Sequence, residues 1–431
     1  MMHRSRIHPF VFTGLLGMVL SALALAPSVA DAQGTAKEKT SGKSKPVRGK
    51  EVHTAPGVHD YSSKNFVLHT DLTPDEAREL LTRLETMLVL VAKYFEKPNS
   101  QVIEMNVVKQ QSNWPPGSID PDAIASIEAG GGITLSVSQI QRNGAGQRQV
   151  VAAKSVVWAV ADRGTPQHEA VHAYCHQSFG RTGPTWYSEG MAELGQYWKA
   201  KEDGVNIHDG VLKYLKSQEP KDLSEIVAPG QRTGDSWQNY SWRWALCHLL
   251  AANPNYAKRF KPLGLALLND QQTSFEAVYG SMAKEINFEY GFFLKHLDQG
   301  YRTDLCSWDW SAKFQRLKGT GSVQPKIDAM RGWQPARVVV KAGDKLSFST
   351  TGEWMIAKSG KKLTADGDED GKGKLVGILF DDYQLSEPFD LGATCEWEAT
   401  ADGNLFLRCR DDWNSIADNS GIVTVKIKLA D

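Results

Sequence analysis

Gln167-His168-Glu169-Ala170-Val171-His172 is the stretch around which this 431-residue chain is organised, and Trp186-Tyr187-Ser188-Glu189-Gly190-Met191-Ala192-Glu193 follows it closely. Residues four apart on an α-helix lie one turn apart on the same face, so His168 and His172 can present both imidazoles to one metal ion. Glu169 lies beside the first imidazole and can reach a metal-bound water without being a ligand itself. This HExxH arrangement is typical of zinc hydrolases in which the Glu acts as general base.

Glu189 is the expected third ligand, since it opens a second apolar stretch with helical spacing. A hairpin of two helices would bring it to the open side of the histidine pair, completing a His₂Glu site with a free position for water. Glu193, one turn further along, is then expected to accept a hydrogen bond from a ligand imidazole and to fix its tautomer. The alternative is a helix with two incidental surface histidines. His176 lies about 12 Å of helical rise from His168, which is too far for one zinc ion to be held by all three histidines. We therefore expect His176 to pack in the core or to support the ligands.

The pattern of HExxH followed by a Glu-Gly-x-Ala helix resembles the gluzincin metallopeptidases. The form at residues 186–192 is most similar to the peptidase-MA-like family, and the resemblance covers roughly residues 60–300. It implies an α+β fold, in which a gluzincin-like zinc metalloprotease domain combines a small mixed sheet with a mainly helical lobe.

The same resemblance implies roles for individual residues. His168, His172 and Glu189 would be zinc ligands, with Glu169 as general base. Gluzincins place an edge strand beside the cleft to pair with an extended peptide, and residues 130–136 are the candidate, although by physics alone they are simply a strand.

A tyrosine or histidine near the cleft is expected to stabilise the oxyanion, as in other zinc peptidases. Tyr240 is the first candidate, in an aromatic helical region, and it is proposed as a catalytic residue. His248 and Tyr187 are the alternatives, and each of the three has a packing role as its rival interpretation.

Residues 1–32 have the composition of a secretory signal peptide, with a basic start, an apolar run over 11–26 and the cleavage signal Ala30-Asp31-Ala32. We therefore expect export, to the periplasm or outside the cell, after cleavage near Ala32. An uncleaved anchor is the alternative, and no other segment is apolar enough to span a bilayer. Residues 33–59 are rich in Lys, Gly, Ser and Thr and are predicted to be a flexible linker.

The charge balance, 49 basic and 50 acidic residues, gives no indication of nucleic-acid binding. Five cysteines are too few for a disulfide scaffold. Cys395 and Cys409 flank two neighbouring strand-like segments and are the predicted disulfide. Cys175 and Cys247 lie in apolar helical stretches, where buried free thiols are common.

Local capping signals predict where two helices begin and end. Thr73 with Glu76 forms a capping box, with Pro74 at the first helical position. Thr165 is the predicted cap of the helix that carries the histidines, and Gly180 its predicted end.

Beyond a connector at residues 306–330, helical periodicity gives way to short alternating runs with Gly and Asp turns. Residues 60–305 are thus the predicted metallopeptidase domain, and residues 331–431 an all-β sandwich.

The closing loop, residues 411–421, resembles that of the PA-IL-like galactose-binding lectins, in which it binds calcium. The resemblance implies Asp411, Asp418 and Asn419 as side-chain ligands of Ca²⁺, with the carbonyl of Ser415, and oxygen ligands suit this ion. The alternative is an acidic hairpin loop held by Asx-turns. Residues 365–370 are acidic where the family has its His and Gln sugar contacts, so galactose binding is not expected.

The sequence as a whole predicts an exported zinc metallopeptidase that acts on a peptide or protein substrate. Its C-terminal domain would contact a glycan or the cell envelope. One alternative is a non-catalytic protein that keeps zinc and binds a cell surface or glycan; an intact Glu169 argues against it. Another is a zinc hydrolase of non-peptide amides.

Overall fold

The computed structural model describes residues 52–55, 57–99, 101–142, 148–162, 164–229 and 236–430. All of these ranges belong to one unit, Pro46–Asp431. The predicted signal peptide and the predicted linker up to residue 51 lie outside the described residues. Within the described ranges, no helix combines the length and the hydropathy that a bilayer crossing requires.

The N-terminal part of the described chain contains a six-stranded mixed sheet, in the order β1-β2-β3-β4-β6-β5. Its strands are β1 (Val52–Ala55), β2 (Val58–Ser62), β3 (Phe66–Thr70), β4 (Ile103–Val108), β5 (Gly132–Arg142) and β6 (Arg148–Val160). β4 runs parallel to β3 and β6, whereas β5 pairs antiparallel with β6 at the edge. The linker predicted to residue 59 therefore ends earlier, because β1 and the buried Val58 already belong to this sheet.

Ten described helices pack against the sheet and one another. They are α1 (Pro74–Phe95), α2 (Pro121–Glu128), α3 (Thr165–Phe179), α4 (Thr185–Gln196), α5 (Asp209–Ser217), α6 (Leu223–Ile226), α7 (Trp237–Ala252), α8 (Ala257–Leu268), α9 (Phe275–Tyr279) and α10 (Ala283–Lys295). The capping box predicted for α1 is confirmed: the side chain of Thr73 accepts from the N–H of Glu76, and Glu76 accepts from the N–H of Thr73. A mixed sheet beside a helical region agrees with the α+β prediction.

Two sheets form the sandwich, in the orders β14-β10-β16-β7 and β12-β11-β15-β9. Its strands are β7 (Ser322–Val323), β8 (Lys326–Asp328), β9 (Gln334–Val340), β10 (Lys345–Met355), β11 (Leu375–Asp381), β12 (Gln384–Leu385), β13 (Phe389–Asp390), β14 (Thr394–Glu398), β15 (Gly403–Cys409) and β16 (Ser420–Leu429). β7 and β8 both pair with β16, so part of the predicted connector 306–330 belongs to the sandwich. Its apolar core lies between the two sheets.

The disulfide predicted between Cys395 and Cys409 is wrong, and both residues are free thiols. Cys395 pairs with Phe348 of one sheet, whereas Cys409 pairs with Leu375 of the other. The two segments are close in sequence but belong to opposite layers. The buried free thiols predicted at Cys175 and Cys247 are confirmed.

An aromatic cluster joins the helical region to the sandwich. Phe292 of α10 and Trp308 pack with Phe406 of β15 and with neighbouring apolar residues of β11. The ring of Phe292 also meets Trp413 edge-on, with 5.0 Å between centroids. The sandwich is therefore packed against the helical region through a buried apolar interface.

Candidate metal centre and cleft

Helix α3, which carries both histidines, begins at a turn made by Asp162. Oδ1 of Asp162 accepts from the N–H groups of Gly164, at 2.7 Å, and Thr165, at 2.6 Å. The cap predicted at Thr165 is wrong, because Gly164 is the N-cap and Thr165 is the first helical residue. The predicted end at Gly180 is confirmed, with φ of 72° and its N–H on the carbonyl of His176.

The structure brings His168, His172 and Glu189 together. The Nε2 atoms of the two histidines are 3.2 Å apart. Oε2 of Glu189 lies 3.3 Å from Nε2 of His168 and 3.4 Å from Nε2 of His172. The three donor atoms thus form a nearly equilateral triangle at the junction of α3 and α4.

The close approach of α4 to α7 helps to hold Glu189 in this position. The next residue, Gly190, faces α7, where an added Cβ would lie 2.9 Å from the carbonyl oxygen of Arg243. A glycine is required here because any side chain would push the two helices apart.

The triangle has the dimensions of a zinc site. Two ligands at the usual zinc distances, separated by a tetrahedral angle, lie about 3.3 Å from each other. Two imidazole nitrogens and one carboxylate oxygen are also a ligand set that zinc accepts in hydrolases. The residues present therefore fit a zinc ion.

Each histidine has a polar group of α4 beside its other ring nitrogen. Oε1 of Glu193 lies 3.1 Å from Nδ1 of His168, although the angle of this contact is not that of a hydrogen bond. Oγ of Ser188 lies 3.4 Å from Nδ1 of His172. Such contacts orient the rings and leave Nε2 free to act as ligand. Glu193 thus lies beside the imidazole that it is predicted to orient, and Ser188, which directly precedes Glu189, is a residue that sequence reasoning missed.

The charged groups of the site favour a bound cation. Three carboxylates, those of Glu169, Glu189 and Glu193, surround the histidine pair, and two of them are almost fully buried. Burial opposes the charge of His168, yet Glu189 and Glu193 hold its pKa well above the ordinary value. Burial likewise opposes the charge of Glu189, but hydrogen bonds from both histidines keep its pKa below the ordinary range. A bound divalent cation would balance the charge of these carboxylates in place of a protonated histidine.

The carboxylate of Glu169, the predicted general base, is held by the edge strand β5. Oγ1 of Thr134 donates to Oε2 of Glu169 at 2.7 Å. Gly132 of the same strand packs against the stem of this side chain, since an added Cβ would lie 2.8 Å from Cγ of Glu169. Sequence reasoning missed Thr134, and only its location in the predicted edge strand could have drawn attention to it.

A cleft of about 750 Å³ opens over the triangle. Its lining includes β5, His176, His208, Trp237 and Tyr240. The ring of Tyr240 stacks on that of His168, with 6.1 Å between centroids and 27° between planes. Tyr240 is therefore at the predicted site, and His208 is a further cleft residue that sequence reasoning did not single out.

The alternatives to Tyr240 lie elsewhere. His248 is stacked between Trp244 and Phe293, in the core of the helical region. Tyr187 is buried, with its hydroxyl directed at Gly264. Neither lines the cleft, and both have the packing role that was the rival interpretation.

The loop that resembles a lectin calcium site contains buried oxygens without partners. Oδ2 of Asp411, Oδ1 of Asp418 and Oδ1 of Asn419 have no hydrogen-bond partner among the described residues. Burial raises the pKa of Asp411. Buried polar atoms are rarely left unsatisfied, and carboxylate and amide oxygens are the ligands that a hard cation takes.

No protein-family model matches this chain, and a comparison with curated proteins gives no match. Solved structures give weak similarities. A structure described as "EclA N-terminal domain; PllA-like lectin" has a TM-score of 0.20 and 19% identity, covering 25% of this chain and 95% of that one.

Two structures of the metallopeptidase IMPa also show weak similarity. The Pseudomonas aeruginosa enzyme in complex with an O-glycopeptide has a TM-score of 0.17 and 12% identity, over 64% of this chain and 34% of that one. IMPa in complex with T-antigen has a TM-score of 0.16 and 11% identity, over 86% and 48%. This chain thus spans less than half the length of either IMPa chain, and similarities of this size carry no conclusion about its function.

Proposed function

We propose that the chain is an exported zinc-dependent metallopeptidase whose ligands are His168, His172 and Glu189. The observation that carries the proposal is the triangle of donor atoms, with sides of 3.2, 3.3 and 3.4 Å. The buried carboxylate of Glu169 beside the triangle supports a catalytic role, because a purely structural metal site would need no base there. Export rests on the composition of residues 1–32.

A zinc ion bound there would supply a Lewis acid and lower the pKa of a water molecule. The chain's own residues do the remaining work. Glu169 accepts the proton of the attacking water and passes it to the leaving amine. Glu193 and Ser188 would orient the two imidazoles through Nδ1, so that each Nε2 is free to bind the metal. Tyr240, stacked on His168, is the proposed hydrogen-bond donor to the developing oxyanion.

Peptides are the proposed substrate class because of the edge strand beside the cleft. β5 pairs with β6 on one side, and in the described part of the chain no strand pairs with its other side. An exposed strand edge can hydrogen-bond an extended peptide along its main chain. A hydrolase of small non-peptide amides would have no use for such an edge, and this favours the peptidase over that alternative.

The test is metal analysis of the purified protein together with digestion of a peptide library, before and after chelation. We expect about one zinc ion per chain, cleavage that stops after chelation, and recovery when zinc is restored. A zinc-loaded protein that cleaves no peptide would overturn the proposal and favour the non-catalytic binding protein.

We also propose that Asp411, Asp418 and Asn419 bind calcium, with the Ser415 carbonyl as a further ligand. The three buried oxygens without partners support this second function. Trp413 of the same loop packs on Phe292 of α10, so the ion would strengthen the interface with the helical region. We further propose that the sandwich contacts a glycan or the cell envelope.

A further inference from the structure

The general base has one hydrogen-bond donor in the described part of the chain, and it comes from β5. Oγ1 of Thr134 lies 2.7 Å from Oε2 of Glu169 and 3.1 Å from the backbone oxygen of the same residue. A hydroxyl has a single hydrogen to donate, and the shorter contact leads to the charged group. The hydroxyl thus holds Oε2 and leaves Oε1 available for a proton.

A second contact from the same strand holds the other end of this side chain. The backbone of Gly132 lies so close to Glu169 that a Cβ there would come 2.8 Å from Cγ. A glutamate has three side-chain torsions, and a general base must stay within a few tenths of an ångström of its working position. The stem and the carboxylate are both held by β5, two residues apart.

The direction of the backbone N–H and C=O of Thr134 decides whether this residue can hydrogen-bond a substrate peptide. The N–H of Val160 donates to the carbonyl of Gly131 at 3.1 Å. In an antiparallel pair, residues directed at the neighbouring strand alternate along the chain. The C=O of Gly131 and the backbone groups of Ile133 and Leu135 are therefore directed at β6, and Thr134 directs its N–H and C=O at the side of β5 that pairs with no described strand.

We infer that Thr134 is a positioning residue that couples substrate binding to the general base. Its backbone meets an extended chain that pairs with β5, while its side chain sets the carboxylate of Glu169. One residue thus fixes the distance between the bound main chain and the base. The inference rests on the proposed function and adds to it the residue that aligns base and substrate.

The test compares Thr134→Val, which keeps the shape and loses the hydroxyl, with Thr134→Ser, which keeps the hydroxyl. We expect Thr134→Val to lower kcat about tenfold with KM nearly unchanged and zinc content intact, because a hydrogen bond to a charged group is lost. Thr134→Ser should recover most of the rate. The matched control is Ser136→Ala, which removes a hydroxyl from the same face of β5. The Ser136 hydroxyl bonds that of Ser155, at 2.8 Å, rather than Glu169.

Thr134→Val and Thr134→Ser are also made in a Glu169→Gln background. If Thr134 acts through Glu169, Thr134→Val costs nothing further there. An equal loss in both backgrounds, or a valine variant as fast as wild type, would overturn the inference.

A crystal structure of zinc-loaded Thr134→Val separates this inference from the proposed function. We expect the Glu169 carboxylate to turn away from its position in the wild type, whether or not the protein cleaves peptides. An unmoved carboxylate would overturn the positioning role, even in an active peptidase. Absence of any cleavage by wild type would instead overturn the proposed function.

Discussion

Oε1 of Glu193 lies 3.1 Å from Nδ1 of His168, and Glu189 contacts the other nitrogen of the same ring. One helix, α4, therefore supplies both a proposed metal ligand and the carboxylate that we propose orients another ligand. The two carboxylates are four residues apart, so one helical turn sets the distance between them. Their removal should have different consequences.

Glu189→Ala should lose both zinc and activity, since it removes a proposed ligand. Glu193→Gln should keep zinc with an affinity lowered about 10- to 100-fold, the usual cost of removing a group that orients a ligand. The measurement is zinc dissociation by competition with a chelator, with His176→Ala as the milder control. If Glu189→Ala binds zinc as tightly as wild type, Glu193 becomes the candidate for the third ligand.

Glu169→Gln should separate metal binding from chemistry. The amide keeps the size of the side chain and can still accept from Thr134, but it cannot take a proton. We expect full zinc occupancy and a rate lowered by about 10²–10⁴. Zinc stoichiometry and peptide hydrolysis are measured on the same preparation. Activity close to wild type would reject Glu169 as the base.

Gly132→Ala should disturb the base from the strand side. The new Cβ would lie 2.8 Å from Cγ of Glu169 and 2.9 Å from the carbonyl of Trp158, so the strand or the side chain must shift. Overpacking of this kind costs about 1–3 kcal/mol of stability, and turnover should fall with it. Gly291→Ala is the control: it lies inside α10, where an added Cβ would have no described atom within 4 Å beyond its chain neighbours and its own helical backbone, and it should be neutral or stabilising. Equal melting temperatures and rates for both variants would contradict the close packing.

Acid should destabilise the protein partly through His248. Burial lowers the pKa of His248 to about 4, whereas an unfolded histidine has a pKa of about 6.5. The unfolded state therefore takes up a proton first, and stability falls as the pH drops from about 6.5 towards 4. The full effect is roughly 3 kcal/mol for this residue. Relative to wild type, His248→Phe should gain stability over this range in chemical denaturation, and a constant difference between pH 7 and 4 would reject the assignment.

Calcium should raise the melting temperature of the intact chain, and Asp411→Ala should abolish that rise. Asp412→Ala is the matched control, because Asp412 is a neighbouring carboxylate that pairs with Lys372 at the surface, at 2.9 Å. Differential scanning calorimetry with calcium and with a chelator gives both values. If wild type shows no calcium effect, the ion is rejected while the sandwich fold stands.

The sequence by itself determined the features that depend on short-range periodicity. Helical spacing put His168 and His172 on one face, and the capping box placed the start of α1. Alternating runs predicted the strands of the sandwich, and the glycine at 180 predicted the end of α3. Each of these depends on residues within about one turn or one strand, where the backbone geometry is regular.

Only the tertiary structure decided which distant segments meet. Thr134 and Glu169 are 35 residues apart, and no periodicity links them. The same limit explains the errors: Cys395 and Cys409 lie on strands that are near in sequence but belong to different sheets, and β7 and β8 join β16 from about a hundred residues away. Pairing between strands is set by the burial of whole faces, and this depends on the complete fold rather than on local pattern.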